Sequence, residues 1–504
     1  MTLAIPLQEG VTPEVSSGPL AIGVVLAYFA VVIGIGAYFY RKSRKSTSDF
    51  WIAGGQIPLW VQVFAVLSVT ASAGSFFGYG GFAYAFGAAF GELVLVAVAA
   101  GGLFMMIFIA APIRRSGVYT VPDYLKRRYQ SDTVRLVAAV IFTIASWAYL
   151  IPQLTAGGIT IDFVLPQLSY QAGVMAAALV FALYVSLGGM WAVTWTDFFQ
   201  GIIMFLLTLV PVPIVWAQLG VTGTLNQAMA ADPGFGSTKA PGLMHLGLGL
   251  VWILAFLALP QMGQRVLASD SDRTARRSFM YMNVLYIFSF TLSIFWVAGA
   301  AKVLEPNLAN ADYFYYAVLS SYFGPVMQGL GAAGLLSAVM STTDALLVAL
   351  SASVSHDIPK SLNVDLSERQ ETLLGVGVMW TGVIVAAVVA FNPPAIIGLM
   401  TTLVAGGAAS GLFPALAVGT WWKRGNSYGA IASMIVGFLT YGILLFGDIM
   451  AVPYTEALVA VPLGLIVYIV VSLGTRRPTG DELAGFQEFH SHQSFVESQT
   501  ETDD

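Results

Sequence analysis

Three stretches of this sequence collect oxygen-bearing side chains inside long apolar runs. SVTASAGSFFGYGG, residues 68–81, holds five hydroxyl side chains and four glycines in fourteen residues. AVMSTTD, residues 338–344, places Ala338, Ser341 and Thr342 at i, i+3 and i+4, the spacing of one helical face. GGMWAVTWTDFFQ, residues 188–200, brings Asp197 and Gln200 into a third apolar run beside Trp195 and Thr196. Hydroxyl and carbonyl oxygens without full charge suit a hard, weakly held monovalent cation. Each stretch also has a plainer reading. Glycines and small hydroxyls allow close helix packing, a helical Ser or Thr can bond back to its own backbone, and Asp197 can cap a helix.

The elements that must position these residues are membrane helices. Of 504 residues, 57% are hydrophobic and only 10% charged, against about 25% charged in a soluble protein. Lipid must therefore be the solvent for much of the surface. Apolar runs of spanning length predict about thirteen helices, near 19–40, 58–84, 88–112, 136–165, 171–190, 196–217, 244–262, 278–302, 313–355, 374–391, 396–420, 427–447 and 453–473. The fold class expected is an all-α polytopic membrane protein; the runs are continuous, which excludes the alternating pattern of a β-barrel. Gly costs about 1 kcal/mol against Ala in a helix interior, so 70–81 reads as a break, and the Pro/Gln/Gly run 257–263 as a second.

Charge placement orients the chain. Thirteen spans put 20 of the 22 Lys and Arg residues on one side, with only Lys239 and Lys302 on the other. The positive-inside rule then places the N-terminus outside and the C-terminus in the cytoplasm of a multi-pass cell-membrane protein. No Lys or Arg falls at mid-membrane in this count. Residues 1–18 read as an extracellular leader. The segment 474–504 reads as an acidic, solvated tail, with seven acids and no Lys or Arg over 478–504. His490 and His492 lie in it without a third metal ligand in view. The 218–243 segment reads as an outer loop. A net charge of −5 gives no reason to expect nucleic acid, and the absence of cysteine excludes disulfides and thiolate metal sites. Acids inside the runs are Glu92, Asp162, Asp197, Asp344 and Glu456, and an acid at membrane depth is a functional-site candidate. No Ser/His/Asp set or metal cluster is visible, so an enzyme is not expected.

Six ordered segments resemble the sodium:solute symporter family over about residues 20–475. They are DFWIAGGQIP (49–58), VYTVPDYLKRRY (118–129), GGMWAVTWTDFFQGIIM (188–204), QRVLAS (264–269), GLGAAGLLSAVMSTTDALL (329–347) and WWKRGNSYGAIASMIVG (421–437). The resemblance implies a LeuT-type core of discontinuous helices, with inverted repeats over 58–217 and 244–420, one helix before them (19–40) and two after (427–473). It implies symport of a small organic solute with sodium by alternating access, with no cofactor beyond the coupling ion. It carries over a sodium site of backbone carbonyls from Ser68, Ala71 and Ala338 and hydroxyls from Ser341 and Thr342, with Asp197 beside it. Asp344 lies outside the pattern carried over.

The solute is read the same way. Sugar-transporting members resemble a Glu–Gln pair where this chain has Gly74–Ser75, which disfavours a sugar. Leu259–Pro260–Gln261 is similar to the pantothenate and proline branches. A small carboxylate is expected, pantothenate or another monocarboxylate before proline, contacting Ser72, Ser75, Phe76, Tyr79 and Gln261. A solute sensor and a passive channel are the competing classes.

Overall fold

The computed structural model describes residues 18–43 and 45–490. The expected leader, His492 and the tail beyond 490 lie outside the described residues. Ten helices among them are long and apolar enough to cross a membrane, and twelve if two bent pairs each count as one span. The fifth run, expected at 171–190, is Tyr170–Ser186, an apolar helix shorter than the others. It ends early because Gly189 takes a positive φ of 51° with ψ −157°, a conformation that glycine tolerates.

The helices that build the centre are α1 (Pro19–Ser43), α2 (Leu59–Thr70), α3 (Gly74–Phe86), α4 (Asp132–Val164), α5 (Gly188–Leu219), α6 (Gly242–Ala258), α7 (Pro260–Ala268), α8 (Asp272–Leu304), α9 (Pro325–Ser361) and α10 (Ile397–Trp421). The α2–α3 pair bends by 51° and the α6–α7 pair by 40°, so both expected breaks occur. At the second, Pro260 lacks an amide hydrogen, and the residue before proline avoids the helical region; Leu259 is extended at φ −73°, ψ 130°. At the first, Ala71 leaves helical geometry at ψ 51°, and the chain resumes as a wide π-type turn over Gly74–Tyr79.

The run expected as one helix over 313–355 is two. Phe314–Tyr322 ends at Phe323–Gly324, and α9 restarts with Pro325 in its first turn, where a missing N–H costs nothing. The expected outer loop contains a helix, Val221–Ala231. The acidic segment is also structured up to 490. Gly480–His490 is a helix with Phe486 and Phe489 buried; Arg127 pairs with Glu488 at 2.5 Å and Arg476 with Glu482 at 2.8 Å. Its two phenylalanines supply apolar burial that an acid count alone overlooks. His490 is spent locally, its Nδ1 2.7 Å from Phe486 O.

Candidate functional site

The broken span α2–α3 faces α9. Ser341 Oγ donates to Ser68 O at 3.0 Å and lies 3.4 Å from Ala338 O, while Thr342 Oγ1 donates to Val69 O at 3.2 Å. All of these residues are buried. The last carbonyls before a break lose their onward helical partners, which is why the hydroxyls of another helix can reach them. Two hydroxyls of α9 thus meet carbonyl oxygens, Ser341 those of Ser68 and Ala338 and Thr342 that of Val69, oxygens of the kind that suit a hard monovalent cation. Ala71 sits at the break itself, buried, with its amide donating to Leu67 O at 2.7 Å. Val69, not singled out in the sequence, is the carbonyl that Thr342 meets.

Asp197 is buried on α5 and forms an ion pair with Arg265 of α7, whose Nη1 also donates to Thr194 Oγ1 at 3.2 Å. Both side chains are 0% exposed. The sequence count assigned Arg265 to a basic loop; the structure buries it, because α7 turns inward after Leu259 and carries it into the core. Its backbone carbonyl accepts from Gln62 Nε2 of α2, so one residue joins the two broken spans.

The residues expected to meet solute line one small cavity. Ser72, Ser75, Tyr79 and Gln261 share it with Tyr149, Trp252 and Phe256, and its volume is ≈ 10 Å³, room for about one water. Phe76 does not line it; it packs edge-on against Phe290 at 5.0 Å. The freed amides of the break are taken by side chains. Gly74 N donates to Ser72 Oγ at 3.1 Å, and Ala73 N to Gln153 Oε1 at 3.3 Å. Ser75 Oγ stands 2.6 Å from Tyr286 OH, which in turn donates to Tyr79 OH at 2.9 Å. Gln261 is buried, and its Oε1 has no partner among the described residues. A far larger cavity, ≈ 480 Å³ between α1, α5 and α9, has Tyr28 as its one polar lining residue, too little to orient a polar solute.

Sequence reading missed Gln153, Tyr149 and Tyr286. Gln153 was findable, since an amide deep in an apolar helix is as unusual as an acid; tyrosines are too common here to stand out. The sequence also showed no metal-type cluster, yet ligand atoms of Asp123, His356 and Asp357 come within 4.8 Å of one another. They belong to an ion-pair hub at one end of α9. His356 Nε2 lies 3.0 Å from Asp123, Arg135 pairs with Asp123 at 3.1 Å, and Thr120 donates to Asp357 at 2.6 Å. Burial pushes the Asp123 carboxyl up, but His356 and Arg135 outweigh it and hold it below the ordinary range.

Two discontinuous helices crossing a long continuous one, with a buried polar centre at the breaks, define a secondary transporter that opens by moving helices about a central site. The family model described as the sodium:solute symporter family matches residues 50–437, and the chain belongs to that family. It is a multi-pass membrane protein that couples sodium to the transport of a small organic solute by alternating access, and it is not an enzyme. The chain is 24% identical over 475 residues to the sodium/pantothenate symporter of Haemophilus influenzae, covering 90% of this chain and 97% of that one. It is 26% identical over 420 residues to the high-affinity proline transporter PutP of Bacillus subtilis, covering 80% and 88%. Among solved structures it resembles a Na⁺-coupled sialic acid symporter, with a TM-score of 0.78 at 18% identity over 92% of this chain and 100% of that one. A nucleobase-cation-symport-1 family transporter follows at a TM-score of 0.54 and 14% identity, covering 88% and 99%.

Proposed function

We propose that sodium binds among the backbone carbonyls of Ser68, Ala71 and Ala338 and the hydroxyls of Ser341 and Thr342, with the Val69 carbonyl that Thr342 meets added to them and Asp197 beside the site. One observation carries this reading: both hydroxyls of α9 meet backbone carbonyls of the broken helix, 3.0 and 3.2 Å away. Sodium there ties α2 to α9 and stabilises the solute-competent shape of the break. The repeats are 58–217 and 244–420, each opening with one bent span, and the N-terminus lies outside.

The solute is a small carboxylate, pantothenate or another monocarboxylate first and proline second. Ser72 Oγ and Gln153 Oε1 accept from the freed amides at the break, and a carboxylate takes over those acceptor roles, with Ser75, Tyr79 and Gln261 around it and Phe76 behind. The ≈ 10 Å³ cavity is far smaller than such a solute, so the walls part before it enters. Relatives carrying pantothenate and proline in their names support this ranking.

The test is uptake by the full chain in proteoliposomes over pantothenate, short monocarboxylates, proline and sugars, with and without a sodium gradient. Accumulation against a solute gradient is expected only with sodium, which separates symport from a channel and from a sensor. Ser341→Ala and Thr342→Ala are each expected to weaken sodium activation about 10- to 150-fold, the range for losing a hydrogen-bonding group that serves a charge. Undiminished uptake in sodium-free medium at fixed voltage would sink the coupling.

A further inference from the structure

Three residues at one end of α9 and on the helix beside it carry ligand-type atoms that neither the sodium site nor the solute site uses. The helix Val121–Tyr129 starts at Thr120, whose Oγ1 accepts from Asp123 N at 3.1 Å. This cap fixes Asp123 in the first turn. Opposite it, α9 widens into a π-type turn over Ser353–Asp357, which carries His356 and Asp357. Ligand atoms of Asp123, His356 and Asp357 lie within 4.8 Å of one another. His356 is 1% exposed and Asp357 0%.

Each of the three has one polar atom held by an outer partner. Arg135 Nη1 pairs with Asp123 Oδ1 at 3.1 Å, and Thr120 Oγ1 donates to Asp357 Oδ1 at 2.6 Å. Glu371 Oε2, from the helix Glu368–Ala390, stands 3.4 Å from His356 Nδ1. What remains is Asp123 Oδ2, Asp357 Oδ2 and His356 Nε2. Nε2 lies 3.0 Å from Asp123 Oδ2, while Asp357 Oδ2 has no hydrogen-bond partner among the described residues. A hub of ion pairs accounts for Asp123, Arg135 and His356. It leaves Asp357 Oδ2 unexplained, and a buried carboxylate oxygen without a partner is costly. Two basic side chains stand near the three carboxylates of Asp123, Asp357 and Glu371. Arg135 also pairs with Asp132 at 2.7 Å, and Lys360 is within electrostatic reach of His356.

We propose that Asp123 Oδ2, Asp357 Oδ2 and His356 Nε2 bind one divalent transition metal of the zinc class, with water as the fourth ligand. An imidazole nitrogen with two carboxylates suits zinc, whereas magnesium and calcium take oxygen ligands. Zinc sits about 2.0–2.2 Å from such ligands, which puts tetrahedral neighbours about 3.3–3.6 Å apart. The His356–Asp123 contact is already that close, and the rest of the set closes by at most about 1.5 Å. Glu371 faces the other imidazole nitrogen, the outer carboxylate that orients a metal-bound histidine. Thr120 and Arg135 orient the two aspartates in the same way. When metal arrives, the Nε2–H bond to Asp123 is given up and its proton leaves to water. Bound metal then pins the helix Val121–Tyr129 to the end of α9.

The experiment uses the full chain, purified in detergent without a histidine tag. It is dialysed against radiolabelled zinc, and its thermal unfolding is followed with zinc chloride and with magnesium chloride. One zinc per chain is expected, with a raised unfolding temperature that magnesium does not give. Glu371→Gln should weaken binding about 10- to 100-fold, the range for losing the outer partner of a metal-bound histidine. His356→Gln and Asp357→Asn should each weaken it further. The chain has four histidines and no cysteine, so the rival ligands are few. His490→Ala/His492→Ala should bind zinc as the wild type does. Unfolding without metal identifies any variant that fails to fold. X-ray absorption on the zinc-loaded wild type needs no variant, and should show nitrogen and oxygen ligands with a single imidazole. A wild type that binds no zinc overturns the proposal, as does binding that is unchanged in His356→Gln and Asp357→Asn or lost in His490→Ala/His492→Ala. Two imidazoles on the zinc, or equal stabilisation by magnesium, overturns it as well.

Discussion

Asp197→Leu is expected to cost about 3–5 kcal/mol of stability, the range for removing one partner of a buried ion pair. Both side chains of the Asp197–Arg265 pair are fully buried, so water cannot replace the lost partner. The two single variants should differ. Arg265→Met leaves an acid, which can take up a proton and become neutral. Asp197→Leu leaves a guanidinium, which keeps its charge, so it is the more damaging change. The double variant Asp197→Leu/Arg265→Met removes both charges and should recover most of the stability, because hydrophobic replacement of a whole buried pair is often neutral or better. Gln62 still has its acceptor in every variant, since it bonds to the Arg265 backbone carbonyl. Thermal unfolding in detergent measures the stability order; sodium-dependent uptake, measured alongside, should stay low in the double variant if the Asp197 charge serves the sodium site. Equal stability of the wild type and Asp197→Leu would contradict the burial argument.

That pair also marks where sequence reading ran out. The broken helices were legible because proline and clustered glycine act locally: Pro260 dictates an extended Leu259, and the glycines and hydroxyls of 68–81 make a poor continuous helix. The i, i+3, i+4 spacing of Ala338, Ser341 and Thr342 put them on one face of a helix, and it was the family resemblance, not the spacing, that set this face against the break. Arg265 was not, because a hydropathy profile assigns a charged residue after an apolar run to a loop and carries no information on a 40° bend that turns it inward. Val69 was hidden for another reason: it contributes through its carbonyl, which every residue has, and only the end point of α2 decides whose carbonyl is freed. The Gly480–His490 helix was masked by its acids, which dominate composition while Phe486 and Phe489 decide the packing.

Gly398→Val is expected to leave the protein in the membrane but reduce sodium-dependent uptake strongly. A Cβ at Gly398 would stand 2.6 Å from Phe82 Cζ and 2.9 Å from Gly78 Cα. Backbone meets backbone at this crossing, so there is no flexible side chain at Gly78 to move aside. α10 must then retreat from the π-type turn of the broken helix. The same turn holds Gly74 against Thr401, whose Oγ1 would lie 3.0 Å from a Cβ at Gly74, and it carries Ser75 and Tyr79 of the small cavity proposed to admit solute. Overpacking of this kind costs about 1–3 kcal/mol. If that cost falls on the solute-bound shape alone, uptake drops about 5- to 150-fold. Gly78→Val, pressing on the same contact from the other helix, should give a similar loss. Gly442→Ala is the control: a Cβ there meets nothing within 4 Å, so it should transport normally and gain slightly from the better helix propensity of alanine. Uptake kinetics with surface abundance measured in parallel separate a transport defect from a folding one. Normal uptake by Gly398→Val would mean that the α10 crossing does not set the geometry of the break, and would remove the structural link between the cavity and α10.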